Sequence, residues 1–184
     1  IIDAENNILF DPVSPFTATP EIVPDPLYDK HCFILKIREM GYFNSASDMI
    51  LSGLPDHFSL KDLEDAIWDF EQKHYTPMPG TAETIETLRW LAKSNYEIRF
   101  QEDSDISERI IFPVSENEAQ GIEDARFVRF VDDNGEITYY ATYTANNGRT
   151  ILPQLIETKD FITFKVITLN GEAVQNKGMA LFPK

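Results

Sequence analysis

The sequence predicts an α+β protein in which a helical region is followed by an antiparallel β meander. Between about residues 25 and 94, apolar residues recur with the period of about 3.6 that is typical of amphipathic helices. From Tyr96 onward they alternate with polar residues, as in half-buried strands. Asn134-Gly135 and Asn147-Gly148 lie between alternating runs and favour tight hairpins, because Asn and Gly accept positive φ.

Residues 1–24 are predicted to form an extended, proline-rich segment, with a short strand at 7–10. Proline has a fixed φ and no backbone N–H, which disfavours a long helix or a central strand. The prolines of this segment are Pro12, Pro15, Pro20 and Pro24.

Four helices are predicted in residues 25–94 from capping residues and stop signals. Their predicted N-caps or first residues are Asp25, Ser45, Ser59 and Thr81. Their predicted ends are marked by Gly41, Gly53, Pro77 and Ser94. Two apolar stripes are expected to face a core: Leu60, Leu63, Ile67 and Phe70 in the third helix, and Ile85, Leu88 and Leu91 in the fourth.

The third region, residues 95–184, is predicted to be a succession of short strands and tight turns. The predicted strands are 96–100, 109–112, 127–131, 137–145, 150–156, 161–169 and 179–182. Such a pattern suits the blades of a β-propeller and equally a part of a β-sandwich, so the alternation alone does not choose between them.

The charge balance excludes several classes of partner. The chain has 31 acidic and 16 basic residues and a formal net charge of −15, whereas nucleic acids and anionic membranes are bound through basic faces. Cys32 is the only cysteine, so we expect no intrachain disulfide and no cysteine-based metal site. The histidines have no ligand spacing, and the acidic run at 102–105 lacks the glycine and distal glutamate of a calcium loop, so we expect no other metal site. We also expect no organic cofactor. No apolar stretch approaches the roughly 20 residues of a membrane-spanning helix. The start, Ile1-Ile2-Asp3, has no basic leader, which favours a cytoplasmic location.

Three short motifs follow one another in the β region. The first, Gly-Ile-Glu-Asp-Ala-Arg at 121–126, sets two adjacent carboxylates beside a guanidinium. The second is Tyr-Tyr-Ala-Thr-Tyr-Thr-Ala at 139–145, and the third is Asn-Lys-Gly-Met-Ala-Leu-Phe-Pro at 176–183. In this order they resemble glycoside hydrolase family 130, the β-mannoside phosphorylases and their hydrolytic relatives. The resemblance covers residues 95–184.

The resemblance implies a five-bladed β-propeller with the active site on its central axis. It implies that this chain is an internal piece of a longer protein, supplies one or two blades, and is inactive by itself. Asp124 then matches the general acid, whose proton passes through a sugar hydroxyl, and Glu123 orients the substrate or Arg126. The substrate would be an oligosaccharide with a β-mannosidic or related bond, cleaved with inversion. Ala125 departs from the family pattern, in which many relatives carry proline.

Phosphorolysis and hydrolysis differ in the groups that face the acid. A phosphorylase needs cations to hold inorganic phosphate, its co-substrate, whereas an inverting hydrolase needs a second carboxylate about 6.5–9.5 Å away. The resemblance makes Arg126, Arg149 and Lys177 the candidate residues for binding phosphate or sugar. Tyr143, in the second motif, is a candidate substrate-binding residue.

Two further interpretations of the same sequence stay open. In one, Asp124 caps a turn and forms a surface ion pair with Arg126, as is common in acidic proteins. In the other, the chain is a non-catalytic piece of a propeller, and the helical region at 25–94 is an interaction or homo-oligomerisation module.

Overall fold

The computed structural model describes residues 5–10, 14–23, 26–73, 79–149, 151–171, 174 and 177–182. Within these ranges the chain forms four α-helices, a six-stranded sheet and a two-stranded sheet, which is the predicted α+β class. In chain order the strands are β1 (Glu21–Ile22), β2 (Tyr28–Asp29), β3 (His57–Phe58), β4 (Tyr96–Arg99), β5 (Gly121–Val131), β6 (Ile137–Asn146), β7 (Ile151–Thr158) and β8 (Thr163–Thr168).

The large sheet is antiparallel and has the order β1-β4-β8-β7-β6-β5. Strands β5 to β8 form the predicted meander, in which each strand pairs with the next one in the chain. Strand β4 extends the meander by pairing with β8, and β1 pairs with β4. The four helices lie between β1 and β4 in the chain, although these two strands are neighbours in the sheet.

The helices are α1 (Lys30–Glu39), α2 (Ser45–Ser52), α3 (Leu60–Lys73) and α4 (Thr81–Lys93). Together with the small β2–β3 sheet they enclose one apolar core. Helix α3 contributes Leu63, Ile67 and Phe70, three members of its predicted stripe. Burying each such side chain stabilises the fold by about 1.5–3 kcal/mol. The predicted stripe of α4 is also buried.

The predicted helix starts are right within a few residues. Helices α3 and α4 begin after Ser59 and at Thr81 as expected, and α2 begins at Ser45, although its N-cap is Asn44. The predicted cap Asp25 lies outside the described residues. Helix α1 begins later than expected because residues 28–29 pair with β3, and Asp29 accepts a hydrogen bond from the N–H of Cys32 at 2.8 Å. That bond lowers the pKa of the Asp29 carboxyl.

Three of the predicted strands are wrong among the described residues. Residues 7–10 contain only an isolated bridge at Ile8. Residues 109–112 form no strand: Arg109 makes one isolated parallel bridge to Ala18, and its guanidinium donates to the carbonyls of Ser104 and Phe161. Residues 179–182 are also irregular, and the carbonyl of Met179 accepts a hydrogen bond from Thr142 Oγ1.

The helical region and the sheet meet through polar contacts. The Lys36 ammonium donates to the carbonyl of Leu169 at 2.8 Å, and the N–H of Gly171 donates to Glu39 at 2.9 Å. The sheet has its own apolar core, separate from that of the helices. Across the described ranges, no helix has both the length and the apolar character that a bilayer crossing requires.

Candidate functional site

The Glu-Asp-Ala-Arg motif lies at a β-bulge inside strand β5. The register of β5 on β6 shifts between Glu123 and Arg126, which leaves Asp124 and Ala125 opposite one residue of β6. Asp124 has a φ of 61°, in the left-handed region that Asp enters more readily than most residues with a side chain. The expectation that the motif forms a turn before the strand is wrong, because β5 already begins at Gly121.

The bulge brings Glu123 and Arg126 onto the same face of the sheet. Residues three apart in a regular strand point to opposite faces. Here the extra residue restores the alternation, so that Glu123 pairs with Thr144 and Arg126 with Thr142. Strand β5 is also the edge of the sheet, and both charged side chains are exposed there.

The third motif packs on this same face, so the three motifs of the β region meet. Three contacts join them: an ion pair between Glu123 and Lys177, a hydrogen bond of 2.8 Å from Arg126 Nη1 to the carbonyl of Gly178, and one of 2.6 Å from Thr142 Oγ1 to the carbonyl of Met179. Gly178 has a φ of 78°, and a Cβ there would lie 3.4 Å from Arg126 Nη2. A glycine at this position therefore lets the backbone approach the guanidinium.

Asp124 projects from the bulge at the edge of this cluster. Its carboxylate is exposed, and among the described residues none donates a hydrogen bond to it or forms an ion pair with it. The pairing of Asp124 with Arg126 that a surface ion pair would require is not formed, because Arg126 contacts Gly178 instead. Asp124 is thus free to approach a ligand at the edge of the sheet.

Arg149 and Tyr143 lie in different surroundings from the cluster. Arg149 is exposed on the β6–β7 hairpin, at the end of the sheet where Gly121 pairs with Asn146. Tyr143 is buried on the opposite face from Thr142, and its hydroxyl donates to the Glu118 carboxylate. The roles predicted for these two residues in binding stay predictions.

A buried carboxylate that the motifs did not reveal lies beneath the bulge. Glu118 is fully buried and accepts hydrogen bonds from two phenols and two backbone N–H groups: Tyr96, Tyr143, Val114 and Ser115. Burial, together with the Glu118 charge, raises the pKa of both phenols, so they stay protonated and able to donate. The pattern Ser115-Glu116-Asn117-Glu118 is a capping box and was the available sequence signal.

The Glu118 network contacts the strand that pairs with the β5 bulge. Tyr143 is the residue of β6 that lies between the partners of Glu123 and Arg126, directly opposite the bulge. Its hydrogen bond to Glu118 ties this part of β6 to the segment that leads into β5. The network therefore holds the strand against which Asp124 is positioned.

We expect the left-handed conformation of Asp124 to determine which residues its position accepts. Asp124→Val should lower the free energy of unfolding by about 1–2 kcal/mol, because a β-branched residue is strained there, whereas Asp124→Gly should not lower it. Ala125→Val, the neighbouring bulge residue without positive φ, is the matched control and should have a smaller effect. Urea unfolding measures all three variants. Equal stability of Asp124→Val and Asp124→Gly would contradict the bulge geometry.

No group of three His, Cys, Asp or Glu side chains within the described ranges is arranged to hold a metal ion. Comparison of the chain with models of protein families, with curated proteins and with solved structures finds no match.

Proposed function

We propose that the full-length gene product cleaves β-mannosidic or related bonds with inversion by phosphorolysis, and that the cluster around the β5 bulge is this chain's part of the active site. One observation carries the proposal: the third motif that resembles family 130 follows the first by more than 50 residues, yet Lys177 and Gly178 contact Glu123 and Arg126.

Asp124 is the proposed general acid. In the reaction, a phosphate oxygen forms a bond to the anomeric carbon as the glycosidic C–O bond breaks, and the Asp124 proton reaches the leaving oxygen through a sugar hydroxyl. Inversion converts the β-linked sugar into an α-sugar 1-phosphate, and Asp124 is left as a carboxylate. An exposed acid at a sheet edge suits this role because it can reach a bound sugar without rearrangement of the strand.

Arg126 and Lys177 are the proposed phosphate ligands. They lie on the same face of the sheet, and Arg126 is two residues from the proposed acid in strand β5, in a chain that is otherwise strongly acidic. Arg126 uses Nη1 for Gly178 and keeps other N–H donors for phosphate oxygens. Lys177 is paired with Glu123, so we infer that phosphate competes with this carboxylate for the ammonium.

The topology supports a propeller without distinguishing it from other β folds. Strands β5 to β8 form a four-stranded antiparallel meander, the arrangement of one propeller blade, with β5 as the strand that would face the axis. Arg149 lies on the hairpin at the end of these strands where the first motif begins, apart from the cluster, so its part in binding phosphate stays a prediction.

The proposal is tested by incubating the full-length gene product with β-1,4-mannobiose, with and without inorganic phosphate, and identifying the products by NMR. We expect α-mannose 1-phosphate, formed only when phosphate is present. Lys177→Ala should raise the KM for phosphate about 10- to 100-fold, which corresponds to the loss of one charge-assisted hydrogen bond.

Lys159→Ala is the matched control for this variant, because Lys159 is also an exposed lysine paired with a glutamate and lies on a different turn. It should leave the KM for phosphate unchanged. Free mannose formed at the same rate without phosphate would make the protein a hydrolase. No cleavage of any β-linked disaccharide by a folded protein would defeat the proposal.

A further inference from the structure

A cleft of 510 Å³ separates the helical region from the sheet, away from the β5 bulge. Its walls come from the segment around β2, from helix α1 and from strands β4, β7 and β8. This volume lies within the range of about 300–1,000 Å³ that is usual for small-molecule sites. The composition of the walls indicates what kind of molecule fits.

One wall carries three alternating charges. Lys165 of β8 pairs with Glu157 of β7 on one side and with Glu97 of β4 on the other, and all three residues line the cleft. Directly opposed residues on one sheet face have Cβ atoms about 4.5–5.5 Å apart. An anion that approached Lys165 would therefore lie between two carboxylates, and a cation that approached either carboxylate would lie beside an ammonium.

The other walls add two charged groups and a histidine. Helix α1 and its N-cap contribute Lys36, whose ammonium is already bonded to Glu39 and to the Leu169 carbonyl, and Asp29, and β3 contributes His57. The lining therefore carries three carboxylates and two ammonium groups. The cleft thus presents hydrogen-bond donors and acceptors side by side with no excess of positive charge. A hydroxyl group matches such a surface, because it donates to a carboxylate and accepts from an ammonium.

The remaining lining includes apolar residues. Val23, whose N–H donates to the Glu97 carbonyl at 2.8 Å, lies at the end of the charged row, and Leu27 also lines the cleft. A ligand that combines C–H faces with hydroxyl groups would cover this apolar surface and hydrogen-bond to the charged row beside it.

We propose that this cleft binds a neutral, polyhydroxylated ligand of the size of a mono- or disaccharide. The inference is independent of the proposed reaction, since the cleft shares none of its lining residues with the Glu-Asp-Ala-Arg cluster. The site would connect the helical region to the sheet, because both contribute walls.

Cys32 provides a reporter for this proposal. It is the only cysteine of the sequence, its side chain is exposed, and it lines the cleft. The rate at which N-ethylmaleimide alkylates Cys32 is followed by mass spectrometry at constant pH, with mannose, glucose or cellobiose present. At about ten times its Kd a ligand leaves about one-tenth of the sites free, so we expect alkylation to slow about tenfold.

Lys165→Met should abolish the protection, because it removes the central donor of the charged row. Lys159→Met, at an exposed lysine outside the cleft, should retain it. Phosphate and putrescine serve as charged comparators and should not protect Cys32.

Absence of protection by all three sugars would overturn the proposal, as would protection by a charged comparator alone or undiminished protection in Lys165→Met. The measurement needs no turnover. Its failure would therefore leave the proposed phosphorolysis untouched, and an inactive protein could still pass it.

Discussion

Asp124→Asn in the full-length gene product is expected to lose about 10²–10⁴-fold in turnover on an unactivated β-linked disaccharide, the usual contribution of a general acid. The amide has nearly the same shape as the carboxylic acid but cannot donate the catalytic proton. Asn also accepts positive φ, so the bulge and the stability should be preserved. Initial rates with β-1,4-mannobiose and phosphate measure the effect.

An activated substrate distinguishes a variant that lacks only the proton donor from a variant whose active site is disrupted. An aryl β-mannoside whose leaving group needs no proton should be cleaved by Asp124→Asn at close to the normal rate. Asp124→Gly keeps the backbone conformation and should show the same substrate dependence. Asp103→Asn, at an exposed acid on another turn, controls for the change in net charge. Normal activity of Asp124→Asn on the disaccharide, or an equal loss on both substrates, would contradict the assignment.

Glu118→Gln is expected to lower the free energy of unfolding by about 2–4 kcal/mol, the largest effect on stability that we predict. The fully buried carboxylate accepts hydrogen bonds from Tyr96, Tyr143 and two backbone N–H groups. A glutamine would present an amide NH₂ to some of these donors, which leaves them unsatisfied at a fully buried position. The midpoint of urea unfolding, followed by tryptophan fluorescence, measures the change.

Glu116→Gln is the matched control, because Glu116 lies in the same short turn but is exposed. It should leave the unfolding midpoint unchanged. Equal midpoints for Glu118→Gln and the parent protein would show that the network does not stabilise the strand behind the bulge. Retained activity in a destabilised Glu118→Gln would restrict the network to a structural role.

The four helices and the strands β4 to β8 could be located from the sequence, together with their order. The stripe of α3 and the alternation of β6 were sufficient to locate a helix and a strand, because a helix or strand must bury one face and this requirement acts within a few residues. The Asn-Gly turns were predictable for the same reason, since positive φ is a property of single residues. The strands predicted at 109–112 and 179–182 failed because apolar alternation does not by itself supply a pairing partner.

The way in which these elements form a site depends on tertiary contacts and could not be predicted from the sequence. The bulge at Asp124 exists in relation to the register of β6, which no local pattern in β5 encodes. Glu123 and Lys177 are 54 residues apart and meet because residues 177–179 lie against β5 and β6. The burial of Glu118, and the pairing of β1 with β4 around the helices, likewise depend on contacts between distant segments. Such contacts form where the packing of the whole chain brings complementary groups together. They cannot be predicted from residue spacing, because spacing reflects only local structure.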